Sequence, residues 1–215
     1  QAKADGFELY AISFDYGQRH KKELDFAKKL AKLAGVKKHY IVNLTSITEL
    51  ISNSSLTNKA IDVPEEHYTA KSMKLTVVPN RNMIMYAVAI GYAVNIKAKA
   101  IYVGVHSGDH VIYPDCRPEF IDILEILAKI ANEGFIEQDF QIKAPFVYKT
   151  KADIVKLGYQ LGVPYQLTWS CYKGGKKHCG RCGTDVERKE AFKLAQVPDP
   201  TEYEDETGVY RGNKS

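Results

Sequence analysis

Three cysteines lie close together near the end of the chain, as Cys171-x7-Cys179-x2-Cys182. The thiolate is the metal-binding form of cysteine. A Cys-x2-Cys pair around Gly180-Arg181 makes a tight turn that aims two sulfurs at one point, as in zinc knuckles. The competing explanations are a redox Cys-x-x-Cys and unrelated buried thiols; Cys171, at a suitable distance, favours zinc. Continuing the x2 spacing lands on Asp185. A carboxylate binds zinc at a slight cost in softness matching, and His178 is a competing donor, although its neighbour Cys179 already ligates. Asp185 equally suits an N-cap for a following helix, so ligation and capping both stand. The metal is expected to be structural, tying a C-terminal segment onto the domain.

Two further polar clusters can do chemistry. Residues 105–120, VHSGDHVIYPDCRPEF, hold His106, Asp109, His110, Tyr113, Asp115 and Arg117 between an expected strand and an expected helix. That is where open α/β sheets place ligand sites. Carboxylates there can accept from the N–H groups of a purine-like base, and Arg117 can grip a carboxylate or phosphate. A solvated loop would account for the Gly and Pro but not for the histidines, aspartates and arginine. Residues 77–82, VVPNRN, put Arg81 and Asn82 at a helix N-terminus, which attracts anions, although a solvated arginine would look the same. Residues 14–20, FDYGQRH, leave an expected strand at its carboxyl end, so Asp15, Tyr16, Gln18, Arg19 and His20 would line the same crevice. The plain alternative is a basic helix start.

The elements that position these residues read as an α/β chain. Residues 7–14 read as a strand buried on both faces, 22–34 as a helix stopped by Gly35, and 39–44 as a second strand, together one βαβ unit. Residues 45–75 form a long polar connection, of a length that is usually functional or mobile. Residues 83–94 are apolar all round and predict a core helix. A strand over 100–105 follows, then a helix from Pro118 with Phe120, Ile123, Leu124, Leu127 and Ile130 on its apolar face, and a short strand over 141–144. Thr150 and Asp153 form a capping box for a helix ending near Gly158 or Gly162, and 187–194 make a last short helix. The expected division is 1–165, 166–203 for the metal segment, and a flexible tail over 204–215. No apolar run is long enough to span a bilayer. The net charge of +4 suits an anionic ligand but is too small to argue for nucleic acid. Bunched cysteines fit a reducing cytoplasm. Residue 1 is Gln, and the opening reads as a start partway into a domain, without a secretory signal.

In order and spacing, FDYGQRH, VVPNRN, GVHSGDHVIYPDCRPEF and CYKGGKKHCGRCGTDVERKEAF resemble the motifs of the 7-cyano-7-deazaguanine (preQ0) synthases of queuosine biosynthesis, within the PP-loop ATP-pyrophosphatases. The resemblance runs from about Phe7 to Tyr203. It implies a Rossmann-like (adenine nucleotide alpha-hydrolase-like) parallel sheet with helices on both faces, and a small C-terminal zinc-binding segment. It implies ATP, Mg²⁺ and ammonia as reactants, a deazapurine carboxylate as substrate, structural Zn²⁺ on Cys171, Cys179, Cys182 and Asp185, and a homodimer with no nucleic-acid or membrane partner. Arg81, Asn82, Asp109, Tyr113, Asp115 and Arg117 would bind substrate; Tyr16, Gln18, Arg19 and His20 would bind nucleotide.

The sequence departs from the family twice. The phosphate loop Ser-Gly-Gly-x-Asp-Ser does not occur in it, so these residues alone are expected not to hydrolyse ATP. Asp185 stands where the family has cysteine. Rival functions are a tRNA-modifying thiolase, against which Cys116 as the only cysteine outside the cluster weighs; an antiviral-operon relative attaching deazaguanine to a protein; and a zinc module binding nucleic acid through Lys173, Lys176, Lys177 and Arg181.

Overall fold

A computed structural model describes residues 1–51, 54–58, 60–65, 74–111 and 113–206. Parts of the long connection and residues 207–215 of the expected flexible tail lie outside the described residues. The chain divides into two compact units, Gln1–Val78 with Lys151–Ser215, and Pro79–Thr150. These follow other lines than the 1–165, 166–203 and 204–215 division, because the helix before the metal segment and the helix after it share one core.

In the first unit, β1 (Tyr10–Asp15) and β2 (Lys38–Asn43) pair in parallel, with Tyr10 opposite Lys38 and Asp15 opposite Asn43. Between them runs α1 (Lys22–Ala34), with Glu23 and Asp25 in its first turn and Lys32 in its last, which complements the helix dipole. Gly35 ends it at φ 75°, a left-handed conformation that costs glycine little. β1 is half-buried rather than buried on both faces: β2 is its only strand partner among the described residues, and α1 packs against it.

The helices α4 (Lys151–Gln160) and α5 (Gly183–Ala195) flank the metal segment. Val155 of α4 joins Ala191, Phe192 and Ala195 of α5 in one buried cluster, and Lys151 pairs with Glu187. Tyr165 packs edge-on against Phe192, with ring centroids 4.8 Å apart, while its hydroxyl donates to the Val155 carbonyl at 2.8 Å. α5 starts at Gly183, earlier than residue 187, because its first turn is polar and small and escapes an apolar periodicity.

The second unit holds α2 (Arg81–Asn95), β3 (Ala100–Tyr102), α3 (Pro118–Ala131) and β4 (Gln141–Lys143). β3 and β4 pair in parallel, Ala100 opposite Gln141, so all named strands pair in parallel, as the α/β class requires. Phe140, fully buried, centres a core with Ile90, Val103, Ile121, Leu124 and Ile142. Two expectations need correction. α2 buries only Ile90 and Ala93; Ala87, Gly91 and Asn95 form an exposed face, whose small side chains gain little from burial. α3 buries Ile121, Leu124 and Ala128, while Ile123, Leu127 and Ile130 are exposed. Apolar residues occupy more than one face of α3, so periodicity could not choose the inner one. Glu125 fixes the choice by accepting from the Ile142 amide of β4 at 2.7 Å and from Lys129 at 2.8 Å. No helix among the described residues is long and apolar enough to cross a membrane.

A Cβ at Gly158 would collide with the Tyr165 hydroxyl. Gly158→Ala is expected to destabilise the first unit by about 1–3 kcal/mol through overpacking, read as a lower denaturation midpoint. The Gly158→Ala/Tyr165→Phe double variant should recover part of that loss.

Candidate metal centre and ligand loops

Cys171, Cys179, Cys182 and Asp185 each offer one donor atom, and these atoms lie within 4.8 Å of one another. All four residues are buried, Cys171, Cys182 and Asp185 completely. The turn works as the sequence implies. Gly180 takes φ 75°, and the backbone N–H groups of Arg181 and Cys182 point at Cys179 Sγ at 3.4 and 3.2 Å. The Cys179 N–H points at Cys171 Sγ at 3.3 Å. Hydrogen bonds from the Cys171 and Cys182 thiols, helped by those two N–H groups, hold Cys179 far below the usual thiol range; sharing a proton with Cys179 pushes Cys171 up. Three soft sulfurs and one hard oxygen, buried and converging, fit a tetrahedral metal site.

The position of Asp185 separates the two readings of its role. α5 begins at Gly183 with Cys182 as its N-cap, and no side chain caps it, so Asp185 belongs to the first turn. Its Oδ2 lies 3.4 Å from Cys179 Sγ and accepts from the Gly180 N–H at 3.0 Å. His178, the competing donor, turns to the carboxylate instead, with Nδ1 2.8 Å from Asp185 Oδ1. Ser170 donates to the same oxygen at 3.3 Å. Ser170 was missed by spacing arguments because a serine beside a ligand carries no pattern of its own.

Part of the long connection also serves this centre. Val63 packs on the cysteines, Glu65 bridges to Cys182 through the backbone, and Lys173 pairs with Glu65. Ser54, Ser55 and Leu56 are almost completely buried. No residue spacing links this stretch to the cysteines, so only the folded chain reveals it.

The turn after β1 lies in the same unit. Tyr16, Gln18 and His20 are buried, at 5%, 1% and 3% exposure. Gln18 accepts from the Tyr16 N–H at 2.9 Å and donates to the Phe14 carbonyl and to Glu23, both at 3.0 Å. Arg19 donates to the carbonyls of Asn58 and Ile61 at 2.8 Å. These side chains brace the turn against Leu56, Asn58 and Ile61 rather than projecting from it. Nδ1 of His20 is buried without a hydrogen-bond partner among the described residues, and its ring lies 5.0 Å from Tyr172. The metal segment backs this turn: Trp169 packs on Phe26 of α1, and Lys22 donates to the carbonyls of Gly175 and Lys176.

Arg81, Asn82, Asp109 and Asp115 lie near buried Cys116 in the second unit. Asn82 Nδ2 lies 3.5 Å from its Sγ, and Arg81 Nε lies 3.4 Å from Asn82 Oδ1. Burial, then the charges of Asp109 and Asp115, push the Cys116 thiol up to about 12. Burial, then Cys116 and Asp115, raise the Tyr86 phenol as well, against the opposing charge of Arg81. Arg81, Asn82, Asp109 and Asp115 thus share one neighbourhood. Tyr113 packs on the core beside it. Arg117 is exposed, with Nε donating to the His110 carbonyl at 2.8 Å. His106 Nε2 lies 3.3 Å from Asp109, and His110 Nε2 is buried without a partner among the described residues. Asn80 opens α2 at φ 55°, a left-handed position that asparagine tolerates better than most residues.

Parallel strand pairs, a polar loop after a strand and a buried cluster of three cysteines and one aspartate that fits a metal ion define an α/β protein with a candidate metal site. Residues 1–196 match the family described as Queuosine biosynthesis protein QueC, and the chain belongs to that family. It is 58% identical to the 7-cyano-7-deazaguanine synthase of Allorhizobium ampelinum over 90% of this chain and 81% of that one. The proteins of the same name from Brucella anthropi and Brucella ovis are 56% and 54% identical over 90% of this chain and 82% of theirs.

A thiol pushed up to about 12 is thiolate at neutral pH to a fraction on the order of 10⁻⁵. In the native, metal-loaded protein, iodoacetamide should therefore leave Cys116 unmodified. A chelator should expose Cys171, Cys179 and Cys182 to alkylation and still spare Cys116, as peptide mass mapping would show.

Proposed function

We propose that this protein is an ATP-dependent nitrile-forming synthase, converting 7-carboxy-7-deazaguanine and ammonia to 7-cyano-7-deazaguanine. The observation that carries the proposal is the 58% identity, across most of both chains, to a protein named 7-cyano-7-deazaguanine synthase. A ring carboxylate is a poor electrophile at neutral pH. Adenylation by ATP releases pyrophosphate and makes the carboxyl carbon open to attack. Ammonia adds, AMP leaves, and the primary amide remains. A second adenylation, on the amide oxygen, lets AMP depart as the amide loses its protons, giving the nitrile.

The protein's share of this chemistry is positioning and charge. Arg81 faces the carboxylate or a phosphate. Asp109 and Asp115 accept from the N–H groups of the deazapurine, with Asn82, Tyr113 and Arg117 beside them. This role draws support from the shared neighbourhood of Arg81, Asn82, Asp109 and Asp115 around Cys116. Holding two anions and a flat base in register removes much of the entropic cost of the reaction. Fixed donors near the developing charge lower the barrier further. The turn Tyr16, Gln18, Arg19 and His20 borders the nucleotide, with Gln18 and Arg19 stiffening it. Mg²⁺ supplies charge neutralisation on the ATP phosphates. Zn²⁺ is held by Cys171, Cys179, Cys182 and Asp185, and its role is structural: it fixes the segment that backs the turn after β1. The proposal includes a homodimer in the cytoplasm.

Arg81→Ala, Asp115→Ala and Arg117→Ala should each lower kcat/KM for carboxydeazaguanine by about tenfold or more. Nitrile formation from carboxydeazaguanine, ATP and ammonium, followed by mass spectrometry, measures this directly. Retention of full activity in all three would overturn the assigned substrate rim, and absence of nitrile in the unaltered protein would overturn the reaction.

A further inference from the structure

We propose that His178 is a positioning residue for the metal centre: its Nδ1–H, held in one orientation by two aromatic neighbours, locks the Asp185 carboxylate so that a single lone pair of Oδ2 is presented to the ion. The inference rests on the reading that Cys171, Cys179, Cys182 and Asp185 hold zinc.

An ionised carboxylate has about four lone-pair directions. At Asp185, Oδ1 receives His178 Nδ1 at 2.8 Å and the Ser170 hydroxyl at 3.3 Å. Oδ2 receives the Gly180 N–H at 3.0 Å, and its remaining direction is the one toward the sulfurs, with Cys179 Sγ 3.4 Å away. His178, Ser170 and Gly180 fill three directions, and the fourth, which meets Cys179 Sγ, is the one an ion would take in place of the thiol proton. An ion held there would meet a single carboxylate oxygen beside the three sulfurs. A carboxylate free to rotate would offer both oxygens, or swing out of the site.

His178 can impose this only if its own ring is fixed. The residue is 4% exposed. Trp169 lies against one side with ring centroids 4.3 Å apart, and Tyr203 meets it edge-on at 5.7 Å. Its backbone is held on both sides, by His178 N–H to the Glu202 carbonyl at 3.3 Å and by the Glu204 N–H to the His178 carbonyl at 2.7 Å. With the ring immobilised 2.8 Å from the carboxylate, the tautomer protonated on Nδ1 is the one that donates to Asp185 Oδ1. A sulfur ligand would not need such a device, because a thiolate presents the same face whichever way it is approached. Partners of this kind commonly contribute about 10- to 100-fold to metal affinity.

The test is a double-variant comparison in the full chain, with zinc affinity read by competition with a chromogenic chelator. His178→Phe keeps a ring between Trp169 and Tyr203 but removes the donor, and should weaken zinc binding by about 10- to 100-fold. His178→Asn restores an N–H donor near the Nδ1 position and should recover much of the loss. In an Asp185→Cys background, His178→Phe should change affinity by less than about threefold, because the group it orients is gone. Cobalt(II) substitution adds a signature: the visible spectrum should shift on His178→Phe when residue 185 is aspartate and stay put when it is cysteine. Circular dichroism of His178→Phe/Asp185→Cys establishes that the fold tolerates Phe at 178. An equal loss in both backgrounds would mean that His178 acts through packing, and an unchanged affinity in the Asp185 background would mean that it does nothing for the metal; either overturns the proposal. Failure of the unaltered chain to take up zinc would instead overturn the metal reading beneath it.

Discussion

A carboxylate with no solvent exposure must have its charge answered, because an uncompensated ion in a protein interior costs several kcal/mol or more. Asp185 is such a group. Its charge is met by a histidine, a serine and a backbone amide, and its one open direction points into a cluster of three thiols. Four acidic donors so close together would repel one another if all were ionised. A divalent cation removes that conflict, and its binding becomes part of the folding free energy of the unit.

Much of the first unit is organised around that centre. The segment from Trp169 to Lys176 lies on α1 and behind the turn after β1, while residues 63–65 close over the cysteines. α5 starts at the last cysteine and packs on α4. The candidate metal segment thus supports a turn whose own side chains are committed to bracing. The second unit is built differently. A core around Phe140 fixes α2, α3 and β3, and the loops at their ends bring arginine, asparagine and two aspartates around one buried thiol.

The spacing of the three cysteines stood out because metal geometry constrains the residue interval, and continuing it reached Asp185 while leaving ligation and capping both open. The helix starting at Lys22 and ending at Ala34 was legible because Gly35 and the charge distribution punctuate it. The loop cluster over 105–120 stood out through residue types that a solvated turn has no use for. The inner face of α3 did not emerge, since Ile121 and Ile123 are chemically alike and only the folded chain, through packing on Phe140 and the Glu125 bond to Ile142 of β4, tells them apart. The contribution of residues 54–65 did not emerge either, because a serine-rich stretch reads as polar until its neighbours are known. Gln18 and Arg19 looked like ligand-facing groups, and in the folded chain their hydrogen bonds go to Phe14, Glu23, Asn58 and Ile61.

X-ray absorption at the zinc edge reads the coordination sphere without disturbing it. Three sulfurs at about 2.3 Å and one light atom at about 2.0–2.2 Å, without the outer-shell pattern of an imidazole, are the expected result. A spectrum showing imidazole scattering, or fewer than three sulfurs, would contradict a centre made of Cys171, Cys179, Cys182 and Asp185.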